Sequence, residues 1–341
     1  MRLVLFKLNA LGDNVVFLPG VQQLRRLHPD WHLTVVTTPG QAELYGGARG
    51  PQEVLTSPKL AFDKAYRRPW VLAEWAWRIR SRHPDACLLA FDQASVPHLV
   101  ALLSGARVRV GANLDFVRVP GSVTQEVAMP ADARPSTWNW SMAAALDRAL
   151  GGGADWPSRP PRPDLRHLLS KGSRPKAERR RVLVHAGASK RLNQWPRDRF
   201  AAVALALSRD FEVVWIEHGP RAGPAPGGTV AAPVSSLSEL ASWIAGSDLV
   251  LCNNSGPMHL ANALGCRGVS VTGPSAPGWD PCWEPERWRV LRHPALACSP
   301  CERPDRELLG CANLAHPMAC LDYWSPERVE VACRESLSLA P

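Results

Sequence analysis

The chain has 341 residues, 45% of them hydrophobic and 21% charged, with a formal net charge of +9. That balance is a folded globular one and excludes a disordered chain, and the length suits two domains of about 150 residues each. No apolar run approaches the roughly 18 residues that a membrane-crossing helix needs. The start, MRLVLFKLNALGD, lacks a small-residue cleavage site and reads as a first strand, not a signal peptide. The positive charge suits nucleic acid, anionic lipid or a phosphorylated substrate, but no zinc finger, arginine-dense recognition helix or RNA-binding sheet pattern speaks for nucleic acid.

Residues 2–8 (RLVLFKL) form the near-continuous apolar run of a buried parallel strand. Residues 9–14 (NALGDN) then turn, 15–27 carry Val16, Leu24 and Leu27 at helical spacing, and 32–37 (HLTVVT) form a second strand, completing a βαβ unit. Gly12 frees the backbone to turn tightly, which puts Asp13 and Asn14 at the mouth of the sheet. A single glycine is not the G-x-G-x-x-G dinucleotide fingerprint, and Asp13 suits either a helix cap or a site carboxylate. Residues 69–82 (PWVLAEWAWRIRSR) predict an amphipathic helix in which tryptophans alternate with arginines. The pattern fits a helix lying on a membrane surface, and equally one packed on the core with a basic outer face. Residues 86–91 (ACLLAF) make a further strand that ends at Asp92, and 107–111 a short one. Residues 137–150 are helical up to three consecutive glycines.

Residues 156–177 hold five prolines, and 159–181 nine Arg or Lys, which reads as a linker over 156–180 between domains 1–155 and 181–341. The strand–loop–helix pattern then restarts. Residues 181–185, 212–216, 249–252 and 268–272 are strands, and 196–208, 237–245 and 326–339 are helices. Both halves therefore predict a doubly wound α/β sheet. The most informative stretch is 251–265 (LCNNSGPMHLANALG), where an apolar strand gives way to Asn253-Asn254-Ser255-Gly256-Pro257 and then to a helical pattern. Ser255 suits the N-cap and Pro257 the first turn, so backbone N–H groups, the positive helix end and His259 gather at one spot, as a phosphate site needs. A polar corner without a ligand has the same local pattern.

Several of these residues together resemble the heptosyltransferase-type glycosyltransferases, which include the ADP-heptose:lipopolysaccharide heptosyltransferases. Leu11-Gly12-Asp13 with Pro19, Leu24-Arg25 and Pro29 is similar to that family's opening. Asp92 with Gly105-Ala106-Arg107 and Gly111 is similar to its middle, residues 185–196 to its phosphate loop, and residues 253–264 to its signature. The resemblance implies two Rossmann-like domains facing across a cleft (the GT-B arrangement), with an acceptor-side first domain and a donor-binding second. It implies inverting transfer of a heptose-like sugar from an ADP-sugar, ADP-heptose in the family's usual chemistry, to a lipopolysaccharide-core-type glycolipid or a protein. The setting implied is cytoplasmic, at the inner face of the membrane.

In those terms Asp13 matches the general base, with Gly12, Asn14 and Asp92 on the acceptor side. Ser255, Gly256 and His259 match its donor-phosphate binders and Gly187 and Ala188 its phosphate loop; Glu217 or His218 is added near the nucleoside, and Lys190, Arg191, Asn193 and Asn254 complete the expected donor side. Two positions depart from the family: its Asp before Ser/Thr-Gly is here Asn254, and its Lys before Trp-Pro is Asn193, with Lys190 or Arg191 as substitutes for the lost cation. A catalytically dead binding protein of the same fold, and a different nucleotide-sugar donor, remain alternatives. No acidic pair of D-x-D spacing follows a strand, so donor binding without a metal is expected. Separately, Cys298, Cys301, Cys311 and Cys320 in the segment 298–320 have the spacing C-x2-C-x9-C-x8-C, which suits either a structural zinc or iron ion or reduced thiols.

Overall fold

The computed structural model describes residues 1–90, 95–112, 119–128, 134–169, 178–217, 223–302, 308 and 310–338. The chain divides into two units, Met1–Arg166 and His167–Pro341. In the first, chain order is β1 (Arg2–Phe6), α1 (Leu11–Leu27), β2 (His32–Thr37), β3 (Glu53–Thr56), α2 (Lys59–Asp63), α3 (Pro69–Arg80), β4 (Ala86–Leu89), α4 (Val96–Leu103), β5 (Val108–Gly111), β6 (Gln125–Glu126) and α5 (Pro135–Ala149). The second holds β7 (Arg181–His185), α6 (Arg197–Leu207), β8 (Glu212–Glu217), β9 (Val230–Pro233), α7 (Leu237–Ala245), β10 (Leu249–Asn253) and α8 (Gly256–Ala263). It closes with β11 (Gly268–Thr272), β12 (Trp288–Arg292), α9 (Ala319–Asp322) and α10 (Pro326–Ser338).

Each unit is a six-stranded parallel sheet, ordered β3-β2-β1-β4-β5-β6 in the first and β12-β11-β10-β7-β8-β9 in the second. Counted within its own unit, the second order is the first repeated. Both are the doubly wound order, with reversal points between β1 and β4 and between β7 and β10. The central strands are covered on both faces, which is why Leu3, Val4, Leu5 and Phe6 are all buried and why the run is apolar throughout.

The eight interior strands are those the sequence pattern predicts, whereas β3, β6, β9 and β12 fall outside its reading. These four are the sheet edges. Their sequences EVLT, QE, VAAP and WRVLR bury only part of their length and carry no continuous apolar signal. Helix α1 also begins earlier than its spacing predicts. Ala10 takes an extended conformation and the Asn14 side chain donates to the carbonyls of Asn9 and Ala10, so the chain enters the helix at Leu11. Asp13 therefore stands in the first helical turn, and Pro19 falls in the helix interior.

The proline-rich segment is not a bare tether as far as it is described. Pro160, Pro163, Leu165 and Leu168 are buried, and Gln22 exchanges two 2.8 Å hydrogen bonds with the backbone of Asp164. Residues 170–177, in the second half of the expected linker, lie outside the described residues. In the second unit, α10 lays Val329, Ala332, Cys333 and Leu337 against the core that contains Leu249, Leu251, Val269 and Val271.

Packing at the β11–β12 edge requires a glycine. A Cβ on Gly268 would stand 2.3 Å from the Trp288 ring, which lies across it. Gly268→Ala should cost about 1–3 kcal/mol of stability by urea unfolding. Adding Trp288→Leu should recover part of that loss, because it removes the clashing ring.

Candidate active site

Ligands of doubly wound sheets bind at the carboxyl ends of strands where the strand order reverses. The residues singled out from sequence fall at those points: Gly12, Asp13 and Asn14 after β1, residues 186–196 after β7, and residues 254–259 after β10. Asp92, expected on the acceptor side beyond β4, and His218, beyond β8, lie outside the described residues.

In the first unit Asp13 is partly exposed, its side chain at 17%, and its Oδ1 lies 3.8 Å from the ammonium of Lys7, which is wholly buried. A carboxylate in the first turn of a helix is also favoured by the helix dipole. Lys7 was not among the expected site residues. Its signal was a lysine in the apolar run that continues past β1, where a buried cation needs an anion. Asn14 faces the core of the unit. It is fully buried, accepting from the Tyr45 hydroxyl at 2.6 Å and from Thr37 Oγ1 at 3.0 Å while its amide donates to the two carbonyls before the helix. It braces the corner that carries Asp13. Burial, and then the Asp13 charge, push the Tyr45 phenol well above its ordinary range, so the hydroxyl remains a donor. Gly12 is likewise buried.

In the second unit the organising side chain is Asn253, the last residue of β10. Its Nδ2 donates to the carbonyl of Ala186 at 2.9 Å, with Gly187 O at 3.4 Å, and its Oδ1 accepts from the Trp195 backbone N–H at 2.8 Å. One fully buried carboxamide thus fastens both ends of the β7 loop to the β10 corner. Gly187 and Ala188 are buried at the loop's start. Ser255 occupies the N-cap of α8 in extended conformation, but its hydroxyl turns back to the Asn253 carbonyl at 3.2 Å and makes no cap bond. The helix thus starts at Gly256 without a side-chain cap on its first-turn N–H groups, the arrangement that favours an anionic ligand.

His259, on the first turn of α8, is 5% exposed, and burial lowers its pKa to about 4. It is therefore neutral at pH 7 and acts through a ring N–H or lone pair, not as a cation. The Trp279 ring stands edge-on to it at 6.3 Å. Asn254 points its amide at Asp280 Oδ1 at 3.5 Å, and Asp280 is bound bidentately by Arg292 at 2.9 and 3.0 Å. A carboxylate at position 254 would face a second carboxylate there; the amide presents a donor instead.

The other departure is explained in a similar way. The Asn193 amide donates to Ser275 Oγ at 3.2 Å and to Glu302 Oε2 at 3.3 Å. Glu302 is 7% exposed, accepts from Ser275 at 2.9 Å and is ion-paired with Lys190. Lys190 is thus anchored on Glu302. Arg191 instead lines a hollow of about 400 Å³ with Gln194, Trp195, Pro196 and Met318. Glu217, at the end of β8, accepts from the backbone N–H of Ala225 at 2.7 Å and so pins the following loop. Ser275, Asp280, Arg292 and Glu302 belong to a region in which the sequence shows no regular pattern, and nothing local marks them.

The expectation of a structural zinc or iron ion is corrected. Cys298, Cys301, Cys311 and Cys320 do line one small cavity, with Leu192, Leu296 and Met318 among its walls. Among the described residues, however, no three His, Cys, Asp or Glu side chains are arranged to hold a metal ion. Burial raises the Cys320 thiol to about 11, with Cys301 and Cys311 adding to it, and burial also raises Cys301.

Two Rossmann-like units in this order make a GT-B-like fold, shared with the solved structures named below. The family model described as glycosyltransferase family 9 (heptosyltransferase) matches residues 154–310, so that stretch carries the family's sequence motif. The structure is similar to E. coli heptosyltransferase WaaC with ADP-2-deoxy-2-fluoro heptose at 17% identity, TM-score 0.70, over 98% of this chain and 99% of that one. It is similar to a glycosyl transferase family 9 protein from Veillonella parvula DSM 2008 at 18% identity, TM-score 0.73, over 98% and 96%. The E. coli ADP-heptose lps heptosyltransferase II matches at 17% identity, TM-score 0.68, over 99% and 98%. No curated protein sequence matches the chain.

Asn253→Ala leaves a buried N–H and a buried carbonyl without a partner and should cost about 3 kcal/mol by urea unfolding. His259 has a folded-state pKa below its unfolded value, so between about pH 6.5 and 4 the unfolded chain binds the extra proton and folding weakens as pH falls. Above that window the effect is absent. His259→Asn should remove from the pH–stability profile a loss on the order of 3 kcal/mol between those limits, read as urea midpoints across pH.

Proposed function

We propose that the protein is an inverting glycosyltransferase that moves a heptose-like sugar from an ADP-sugar, ADP-heptose in the first instance, to a lipopolysaccharide-core-type glycolipid. The observation that carries this reading is the α8 corner, with an N-terminus lacking a side-chain cap at Ser255–Gly256, a neutral buried His259, and the β7 loop tied beside it by Asn253. The family motif spans the same corner and loop. WaaC, a structural neighbour, is described with an ADP-sugar analogue.

In this reading the donor diphosphate meets the N–H groups of α8, the His259 ring N–H and the loop from Gly187 to Asn193, with Lys190 supplying positive charge. The acceptor hydroxyl oxygen attacks the anomeric carbon and inverts it. The bond from that carbon to the diphosphate oxygen breaks, its electron pair leaves with ADP, and the hydroxyl proton passes to Asp13. Lys7 holds the Asp13 carboxylate in place. The protein would act in the cytoplasm at the inner face of the membrane, where such a glycolipid is exposed. Among the described residues no helix is long and apolar enough to cross a membrane.

The alternative of another nucleotide-sugar donor is favoured by one feature, the replacement of the family's charged residues at positions 193 and 254 by amides. Calorimetric titration with ADP-heptose, with GDP-, UDP- and ADP-hexoses and with the free diphosphates separates the two. Selective ADP-heptose binding is expected, and no binding by any donor would instead support a non-catalytic protein of this fold. Asp13→Asn should keep donor affinity and lose at least about a hundredfold in transfer rate. Undiminished transfer would remove Asp13 as the base.

A further inference from the structure

The buried halves of α3 and α4 share one core cluster, through Trp75 and Ile79 on one helix and Val96 and Val100 on the other. Their outer sides therefore lie next to each other, and Arg80 Nη1 on α3 comes within 3.1 Å of where a Cβ of Gly105, just past α4, would stand. On this outer side the surface departs from the rest of the unit. Trp70 and Trp77 are each 69% exposed, Tyr66 54%, Leu103 47% and Leu102 38%. Among the described residues of the first unit, Met1 is the one other large hydrophobic that is exposed. Trp70 and Trp77 stand seven residues apart, so both indoles rise from the same line of the helix, about 10 Å apart.

The surroundings are basic. Residues 59–82 contain seven Lys or Arg and two acids, Asp63 and Glu74. Asp63 is paired with Lys59 at 3.1 Å, and Arg82 is engaged by Glu53. Arg67 lies over the Tyr66 ring and Arg68 and Arg80 are exposed, while the exposed Glu74, four residues after Trp70 and three before Trp77, is the one acid on the line of the two indoles. Exposed indoles are costly in water and are best placed at a lipid–water boundary, and arginines beside them attract anionic headgroups.

We infer that the α3–α4 face docks the first unit on an anionic lipid bilayer, with Trp70 and Trp77 entering the headgroup layer and Arg67, Arg68 and Arg80 meeting lipid phosphates. This gives a surface to the membrane setting proposed above, but its basis involves neither Asp13 nor the α8 corner. The charge pattern selects the occupant: an apolar protein partner would need no cationic surround, and a second copy of this chain would bring the same positive charge against it.

The test is flotation of the full chain with vesicles of phosphatidylcholine plus phosphatidylglycerol, compared with phosphatidylcholine alone. Binding to the anionic vesicles, weakened by salt, is expected. W70S/W77S should lower partitioning at least about tenfold, and Arg68→Ser and Arg80→Ser about fivefold each. All of these side chains stand outside the core, so the thermal midpoint should stay at the wild-type value. Should W70S/W77S fail to fold, the arginine variants decide alone. Failure to float with anionic vesicles overturns the inference, as does flotation that the variants leave unchanged. A dimer that W70S/W77S converts to monomer, read by sedimentation velocity, would make this face a chain–chain interface and overturn it as well. Donor calorimetry on the same samples is a separate readout, so a failure of the donor proposal leaves the flotation result intact.

Discussion

The second unit depends on the carboxamide of Asn253. At the reversal point of a doubly wound sheet, β7 and β10 are hydrogen-bonded neighbours whose following segments lead to helices on opposite sides. Something must hold the two segments together at the strand ends. Asn253 does so with one donor and one acceptor, reaching Ala186 near the start of the β7 loop and Trp195 at its end. An aspartate could not donate to Ala186, and an aliphatic residue would leave both backbone groups unpaired in a fully buried position. Once fixed, Trp195 carries the loop into the core, where its ring meets Phe200 edge-on and its Nε1 donates to the Trp324 carbonyl.

Around this pin, charges are arranged in compensated pairs. Asp280 faces Arg292, and Glu302 faces Lys190, with the amides of Asn254 and Asn193 as lateral donors to the two carboxylates. Positions 193 and 254 look like losses when read alone. In the fold each amide adjoins a carboxylate that already has a cation. The two replacements thus reduce repulsion beside the half-buried Asp280 and competition for the buried Glu302, where an uncompensated charge would be costly.

Legibility of the fold followed burial. Every interior strand was visible because strands covered on both faces need continuous apolar runs, as in RLVLF, RVLVH and LVLCN. All four edge strands were missed because a half-covered strand tolerates polar residues and needs no such run. Helix α3 was legible as amphipathic, but the pattern alone did not decide which tryptophans face outward. The structure buries Trp75 and exposes Trp70 and Trp77.

The sequence by itself determined the two βαβ-rich halves, the strand-to-helix corners at Asp13 and Ser255–His259, and the kind of ligand such corners suit. These are local properties, set by apolar period, N-cap chemistry and turn residues within about a dozen positions. The tertiary structure alone decided which distant side chains meet: Lys7 with Asp13, Glu302 with Lys190 and Asn193, Asp280 with Asn254. It also decided the state of groups whose chemistry depends on their surroundings. Burial makes His259 neutral and raises the Cys320 thiol, which lines one small cavity with Cys298, Cys301 and Cys311. The physical reason is the same in each case. Spacing along the chain specifies local geometry, whereas solvation and pairing depend on what the rest of the chain brings alongside.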